Sequence, residues 1–282
     1  MIKHILYVQP IFAPDQRRCD RNTNSIKSMG DYIKINGTDG IQVTVVFGGW
    51  AKTPELWDKI KSEILHAFGP SINAIVFDKN YGKAMVVNKL VEMAKQQNVG
   101  YHAILTADSD ILFPLENHHM FGRLAYAAIQ LENIKKKPFG MMALNQSGEC
   151  CHWKCCYENS TEYSVTTGNQ TIVEKIVWPT NPSGIAGGCL FISRKVWEVL
   201  RGYQCSGLYA GDDAFLLLYT FQAGFSHQMI DTITIVHPPE NDAEWSAFKV
   251  KVCQRDSLTG PKSNIDHLIK EMDEFWDNHD KT

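Results

Sequence analysis

No stretch of the chain reaches the roughly 18 to 20 consecutive apolar residues that a membrane-crossing helix needs, which argues against a helical span. A secretory leader is also missing. The short apolar run of Met1-Ile2-Lys3-His4-Ile5-Leu6-Tyr7-Val8-Gln9 is cut by Pro10 before it reaches leader length, so it reads as a first strand in a soluble, cytosolic protein. An excess of positive charge is absent too: the formal net charge is −3 and the pI about 6.4. Any polyanionic partner would have to be gripped by a local patch, such as Arg17-Arg18 with Arg21, Lys135-Lys136-Lys137, or Lys249, Lys251 and Arg255. Paired cysteines at zinc spacing are lacking. The eight cysteines are scattered except for Cys150-Cys151-His152-Trp153-Lys154-Cys155-Cys156, whose spacing departs from the usual C-x2-C pairs. That cluster reads as a loop of reduced thiols packed with Trp153. A Gly-rich, Arg/Lys-bearing turn after the first strand is also absent, since Pro10-Ile11-Phe12-Ala13-Pro14-Asp15 stands there, and this counts against a sugar nucleotidyltransferase.

What is present points to one large α/β domain, which 282 residues accommodate. His4 to Val8, Gln42 to Phe47, Ala74 to Phe77 and Ala103 to Ala107 are short, apolar and partly β-branched, as strands are. Between them lie helical patterns. Thr53-Pro54 starts one with Leu56, Trp57, Ile60, Ile64 and Phe68 on one stripe, ended by Gly69-Pro70; Lys83 to Gln97 places Ala84, Val87, Val91 and Ala94 on another. This alternation predicts a parallel sheet wrapped by helices, with ligands gathered at the carboxyl ends of the strands.

At one such end stands Ile104-Leu105-Thr106-Ala107-Asp108-Ser109-Asp110. Side chains at i and i+2 of an extended chain point the same way, so Asp108 and Asp110 share a side at the strand tip. Two hard oxygen donors at an open end suit Mg2+ or Mn2+. Residues 145–184, rich in Asn, Ser, Thr, Gly and Cys without clear periodicity, read as an irregular insertion over the active site. Gly184 to Arg194 follows as a glycine-rich entry into a buried strand, then a helix from Lys195 to Leu200. Gly211-Asp212-Asp213 opens an apolar helix, where the helix dipole favours acids.

In this order the parts resemble a nucleotide-sugar-dependent glycosyltransferase of the GT-A fold, closest in motif order to the family 2 enzymes. The likeness runs from Ile5 to about Trp245. It rests on Lys79-Asn80-Tyr81-Gly82-Lys83-Ala84 with Asn88, on Asp108-Ser109-Asp110, on Gly187-Gly188-Cys189-Leu190-Phe191-Ile192 followed by Gly202-Tyr203, on Gly211-Asp212-Asp213 with Ala223-Gly224-Phe225, and on His237 after Thr232 to Val236. The resemblance implies a GT-A, Rossmann-like sheet over residues 1–245, with 246–282 as a C-terminal extension. It further implies that Asp110 coordinates Mn2+ or Mg2+, that Asp108 contacts the ribose or a metal water, and that His237 is a third ligand. Asp213 matches the family's base and Asp212 the acid that binds acceptor, which implies inversion at the anomeric carbon. Lys79, Lys83 and Arg21 are candidates to meet the donor diphosphate.

Two features depart from the pattern or lie outside it. Phe47-Gly48-Gly49-Trp50 stands where many relatives carry an acid that contacts the nucleobase, which puts uracil recognition in doubt. His118-His119 is an adjacent pair whose rings diverge on most backbones, so it reads as surface and not as a metal site. The anchor-free design resembles phage enzymes that glycosylate modified cytosines, so the acceptor is expected to be a hydroxylated cytosine in DNA. Polysaccharide or glycoprotein precursors are the alternative, and a non-catalytic nucleotide-sugar binder is a third reading. The segment Ile265 to Trp276 puts Ile265, Leu268, Ile269, Met272, Phe275 and Trp276 on one face opposite Asp266, Lys270, Glu271 and Glu274, as in a helix docked on the core.

Overall fold

The computed structural model describes residues 2–148, 157–167, 170–179, 187–203, 212–259 and 265–279. Its first half follows the sequence pattern closely. Strands β1 (His4–Ala13), β2 (Gln42–Ala51), β3 (Asn73–Val76) and β4 (Ala103–Ala107) alternate with helices α1 (Gln16–Asn36), α2 (Pro54–Phe68) and α3 (Gly82–Gln96). Local chemistry sets the helix ends. The Asp15 carboxylate accepts the Arg18 backbone N–H at the start of α1, Thr53 caps α2 with Pro54 in its first turn, and Gly69 ends it at φ 88°. β2 runs through Phe47-Gly48-Gly49-Trp50 and pairs with β1 in parallel over ten positions, from His4↔Gln42 to Ala13↔Ala51. Glycine is required at position 49, because a Cβ there would lie 2.0 Å from the Ile11 carbonyl oxygen.

The second half adds α4 (Met120–Lys135), β5 (Phe139–Gly148), β6 (Tyr157–Thr167), β7 (Gln170–Pro179), β8 (Cys189–Ser193), α5 (Arg194–Leu200), α6 (Asp212–Gln222), β9 (Ser226–His237), α7 (Ala243–Thr259) and α8 (Ile265–His279). The strands form one sheet in the order β3-β2-β1-β4-β8-β5-β9-β7-β6. It is mixed: β8 lies antiparallel between β4 and β5, whereas β5 and β9 are parallel. Alternate residues of β1 feed the two sides of the sheet. Ile5 and Tyr7 pack with α1, α2 and α4, while Leu6 and Val8 pack with α3, α5 and α6. The result is an α/β domain with a central mixed sheet flanked by helices.

The expected irregular insertion is corrected where it is described. Residues up to Gly148 continue β5, and β6 and β7 form a long antiparallel pair that extends the sheet through β7 and β9. The buried Glu174 of β7 is gripped by Arg123 of α4 through Nε–Oε1 and through Nη2 at 3.1 Å, and that guanidinium also donates to the Thr232 carbonyl at 2.9 Å. This forked ion pair ties the outer strands to the body of the fold. Residues 149–156, including the Cys150 to Cys156 cluster, and residues 168–169 and 180–186 lie outside the described residues.

The C-terminal segment docks on the core. Met272 and the fully buried Trp276 of α8 pack with Trp245 and Val252 of α7 and with Phe12 at the end of β1. α7 itself begins at Ala243, so it spans residue 245 without a break. Arg18 sits over both indoles, its guanidinium carbon 5.1 Å from the Trp245 ring and 4.4 Å from the Trp276 ring. No described helix is long and apolar enough to cross a membrane.

Candidate functional site

The sheet brings the motif residues to one edge. β4, β5 and β9 run in the same direction, so the residues after β4 and the end of β9 emerge together, while β8, running oppositely, starts there. Two backbone contacts fix that edge. The Asp108 N–H donates to the Gly188 carbonyl at 2.7 Å, and Leu112 and Val236 exchange hydrogen bonds of 2.9 and 3.0 Å. The first holds the start of β8 against the acidic turn; the second draws His237 beside Asp110.

Asp108, Asp110, Asp213, His237, Lys83 and Arg21 all line one cavity of about 270 Å³. Lys83, in the first turn of α3, is its electrostatic centre: Nζ lies 2.8 Å from Asp108 Oδ1 and 3.0 Å from Asp213 Oδ1, and donates to the Gly187 carbonyl at 3.0 Å. Arg21, from α1, donates to Asp110 Oδ2 at 2.6 Å and to the Pro238 carbonyl at 2.9 Å. His237 Nε2 faces the other Asp110 oxygen at 3.7 Å, and its buried Nδ1 has no hydrogen-bond partner among the described residues. Burial raises the Asp108 carboxyl above its ordinary range; Lys83 pulls it back, and Asp110 adds to the rise. The buried Cys189 thiol beside it is pushed up as well, so it is inert and no candidate nucleophile.

Two expected residues stand apart from this cluster. Lys79 is not among the cavity-lining residues; its ammonium lies over the Tyr81 ring, 5.2 Å from the centroid. Asp212 opens α6, but its side chain lies outside the described residues. His118 and His119 diverge as expected, one ring meeting Asn36 at 2.8 Å and the other Asp39 at 2.6 Å. Sequence reasoning missed Glu240. It lines the cavity and pairs with Arg17 and Arg18, each at 3.3 Å, and with Arg21 at 3.5 Å. The only signal was an acid placed just after His237-Pro238-Pro239.

The donor set suits a hard or borderline divalent ion. Two carboxylates and an imidazole nitrogen match Mn2+ or Mg2+ chemistry, and the buried His237 Nδ1 has no hydrogen-bond partner among the described residues. Among the described residues no three such side chains already converge on one point. The cations explain this, because Arg21 and Lys83 hold Asp110 and Asp108 toward themselves.

Gly187 shows how tightly Asp213 is seated. A Cβ at that position would lie 1.6 Å from Asp213 Oδ2, so any other residue must push the carboxylate away. Overpacking of this kind costs about 1 to 3 kcal/mol. Gly187→Ala is therefore expected to lower the melting temperature by several degrees, which a thermal melt checks. An unchanged melting temperature would mean that Asp213 is not held against the turn.

No family model and no curated protein matches the sequence. Solved structures do. The chain is similar to the mannosyltransferase PcManGT from Pyrobaculum calidifontis, solved with GDP-Man and Mn2+, at a TM-score of 0.55 and 11% identity over 93% of this chain and 66% of that one. It is also similar to residues 1–349 of S. aureus TarS, solved with UDP-GlcNAc, at a TM-score of 0.57 and 9% identity over 86% of this chain and 61% of that one. The chain thus spans between 61% and 66% of the length of these two relatives. At such identities the likeness is one of fold alone, shared with one structure solved with GDP-Man and Mn2+ and one solved with UDP-GlcNAc.

Proposed function

We propose that this chain is an inverting, metal-dependent glycosyltransferase that moves a sugar from a nucleotide-sugar donor to a hydroxyl acceptor. The observation that carries the proposal is the meeting of Asp108, Asp110, Asp213, His237, Lys83 and Arg21 around one cavity on this fold. Each residue type has work to do there. Asp213 takes the proton from the acceptor hydroxyl as its oxygen attacks the anomeric carbon. The bond from that carbon to the diphosphate oxygen breaks on the opposite face, and its electron pair leaves with the diphosphate. Lys83 and Arg21 bind the diphosphate and offset its charge. Mn2+ or Mg2+, held by Asp110 with Asp108 and His237, would add further stabilisation of the same leaving charge. Asp212 is assigned to acceptor binding on the family resemblance alone, and Lys79, outside the cavity lining, stays a weaker donor-binding candidate.

The acceptor proposed is a hydroxyl of a polysaccharide or glycoprotein precursor. A DNA acceptor, expected from the sequence, would need free cations along the surface. Of the cations lining the cavity, Arg18, Arg21 and Lys83 are neutralised by carboxylates, and Lys249 lies 5.7 Å from the Trp245 ring centroid. Arg17 pairs with Glu240, Arg18 with Asp15, Glu240 and Asp242, and Arg21 with Asp110. Lys135 lies 3.7 Å from the Trp178 ring centroid and not beside the cavity.

A thermal-shift panel of GDP- and UDP-sugars, each with and without Mn2+, tests the reading. A donor present at 100 times its dissociation constant stabilises by about 2.7 kcal/mol, which moves the midpoint by several degrees. At least one sugar nucleotide is expected to do this, and more strongly with Mn2+. If none shifts the midpoint under either condition, the donor assignment falls.

A further inference from the structure

Each cavity carboxylate whose side chain is described already has a cation from the chain itself. Lys83 serves Asp108 and Asp213, and Arg21 serves Asp110. Arg21 is held from several sides: its guanidinium donates to the carbonyls of Pro238 at 2.9 Å and Pro239 at 3.4 Å, and reaches Glu240 at 3.5 Å. One of its donors is nevertheless unused among the described residues, where the buried Nε has no hydrogen-bond partner. A buried guanidinium N–H without an acceptor, beside a cavity, is a place for an oxyanion.

A divalent ion that approached Asp110 in this arrangement would meet the Arg21 charge at close range and have to displace it. A diphosphate reverses that balance. Its oxygens offer acceptors to Arg21 and Lys83, and once those cations turn to it the carboxylates are released to the metal. We infer that Arg21 is an exchangeable counter-ion, paired with Asp110 in the free protein and with the diphosphate in the loaded one. Metal and nucleoside diphosphate therefore bind as a coupled pair, and by linkage each raises the affinity of the other equally. The inference rests on the proposed reading of the cavity as a metal and diphosphate site. Lys83 contributes in the same sense but also holds Asp213, so Arg21 is the cleaner position to probe.

The test is a titration with Mn2+ followed by electron paramagnetic resonance, without nucleotide and with saturating GDP or UDP in separate arms. In the wild-type protein one nucleotide is expected to tighten Mn2+ binding by about tenfold or more. Arg21→Gln removes the competing charge, so Mn2+ alone should bind several-fold more tightly than to wild type, while the effect of nucleotide shrinks to the part that Lys83 retains. Arg21→Lys keeps a charge without the forked hold, and its coupling should fall between the two. Thermal melts of both variants establish that they fold. If wild type shows nucleotide-assisted Mn2+ binding but Arg21→Gln binds Mn2+ alone no better than wild type, the counter-ion role is overturned and the site reading stands. If wild type binds no Mn2+ in any arm, the metal site falls and the inference falls with it.

Discussion

Asp213→Asn is expected to lower sugar transfer by about 100-fold to 10,000-fold, the range for losing a general base, while donor binding survives. The amide keeps the size of the carboxylate, and its oxygen still accepts from Lys83, which in the wild type donates at 3.0 and 3.3 Å to the two Asp213 oxygens. What it loses is the capacity to take a proton. The measurement is single-turnover transfer, with donor affinity read separately by thermal shift. If Asp213→Asn transfers normally while Asp212→Asn is dead, the roles within the pair are reversed. If both stay active, the inverting mechanism must be abandoned, and the pair returns to being acids favoured at a helix start.

Asp110→Asn is expected to abolish metal-dependent donor binding and to lower transfer by about 100-fold to 1,000-fold, as loss of one electrostatic stabiliser does. A neutral amide attracts a hard cation far less than a carboxylate. The substitution also frees Arg21 from its 2.6 Å contact, so the fold must be checked by circular dichroism before rates are compared. The same logic applies to the ion: excess chelator should stop the wild-type enzyme, and added Mn2+ should restore it. Full activity in chelator would exclude a required metal.

Much of the first half, β2 to β4, was legible because its elements are specified locally. β4 was read with its observed ends, and α2 with its Thr53 cap and Gly69 stop, since apolar periodicity and cap residues lie next to each other in the chain. The acidic turn after β4 was legible for the same reason. β6 and β7 were not. β6 alternates Ser, Thr, Glu and Asn with few apolar residues, so it carries no buried stripe to count. In β7 an inward position is taken by Glu174, whose partner Arg123 lies 51 residues away. A charge there reads as surface until its partner is seen. Glu240 and the Arg18 stack on Trp245 and Trp276 were hidden likewise, because each joins the start of α1 to residues more than 200 positions later.

The antiparallel placement of β8 has a consequence for how the molecule assembles. β1, β2 and β3 pair through neighbouring strand-helix-strand units whose contacts are close in sequence and form quickly, whereas β4 returns to β1 to pair Ala103 with Ile5. β8 must return across more than 80 residues to pair Ala107 with Cys189 before the Gly187-Gly188 turn meets the acidic turn after β4. Closure of that long loop is entropically costly and rewarded only when the strand is fully seated. The edge β3-β2-β1 is thus built for early formation, whereas the approach of Asp108 to Asp213 waits on two long-range pairings, β1 with β4 and β4 with β8. A nascent chain stalled before residue 189 would carry Asp108 and Asp110 but lack β8 and Asp213, so the cavity would stay incomplete until the later strands had closed.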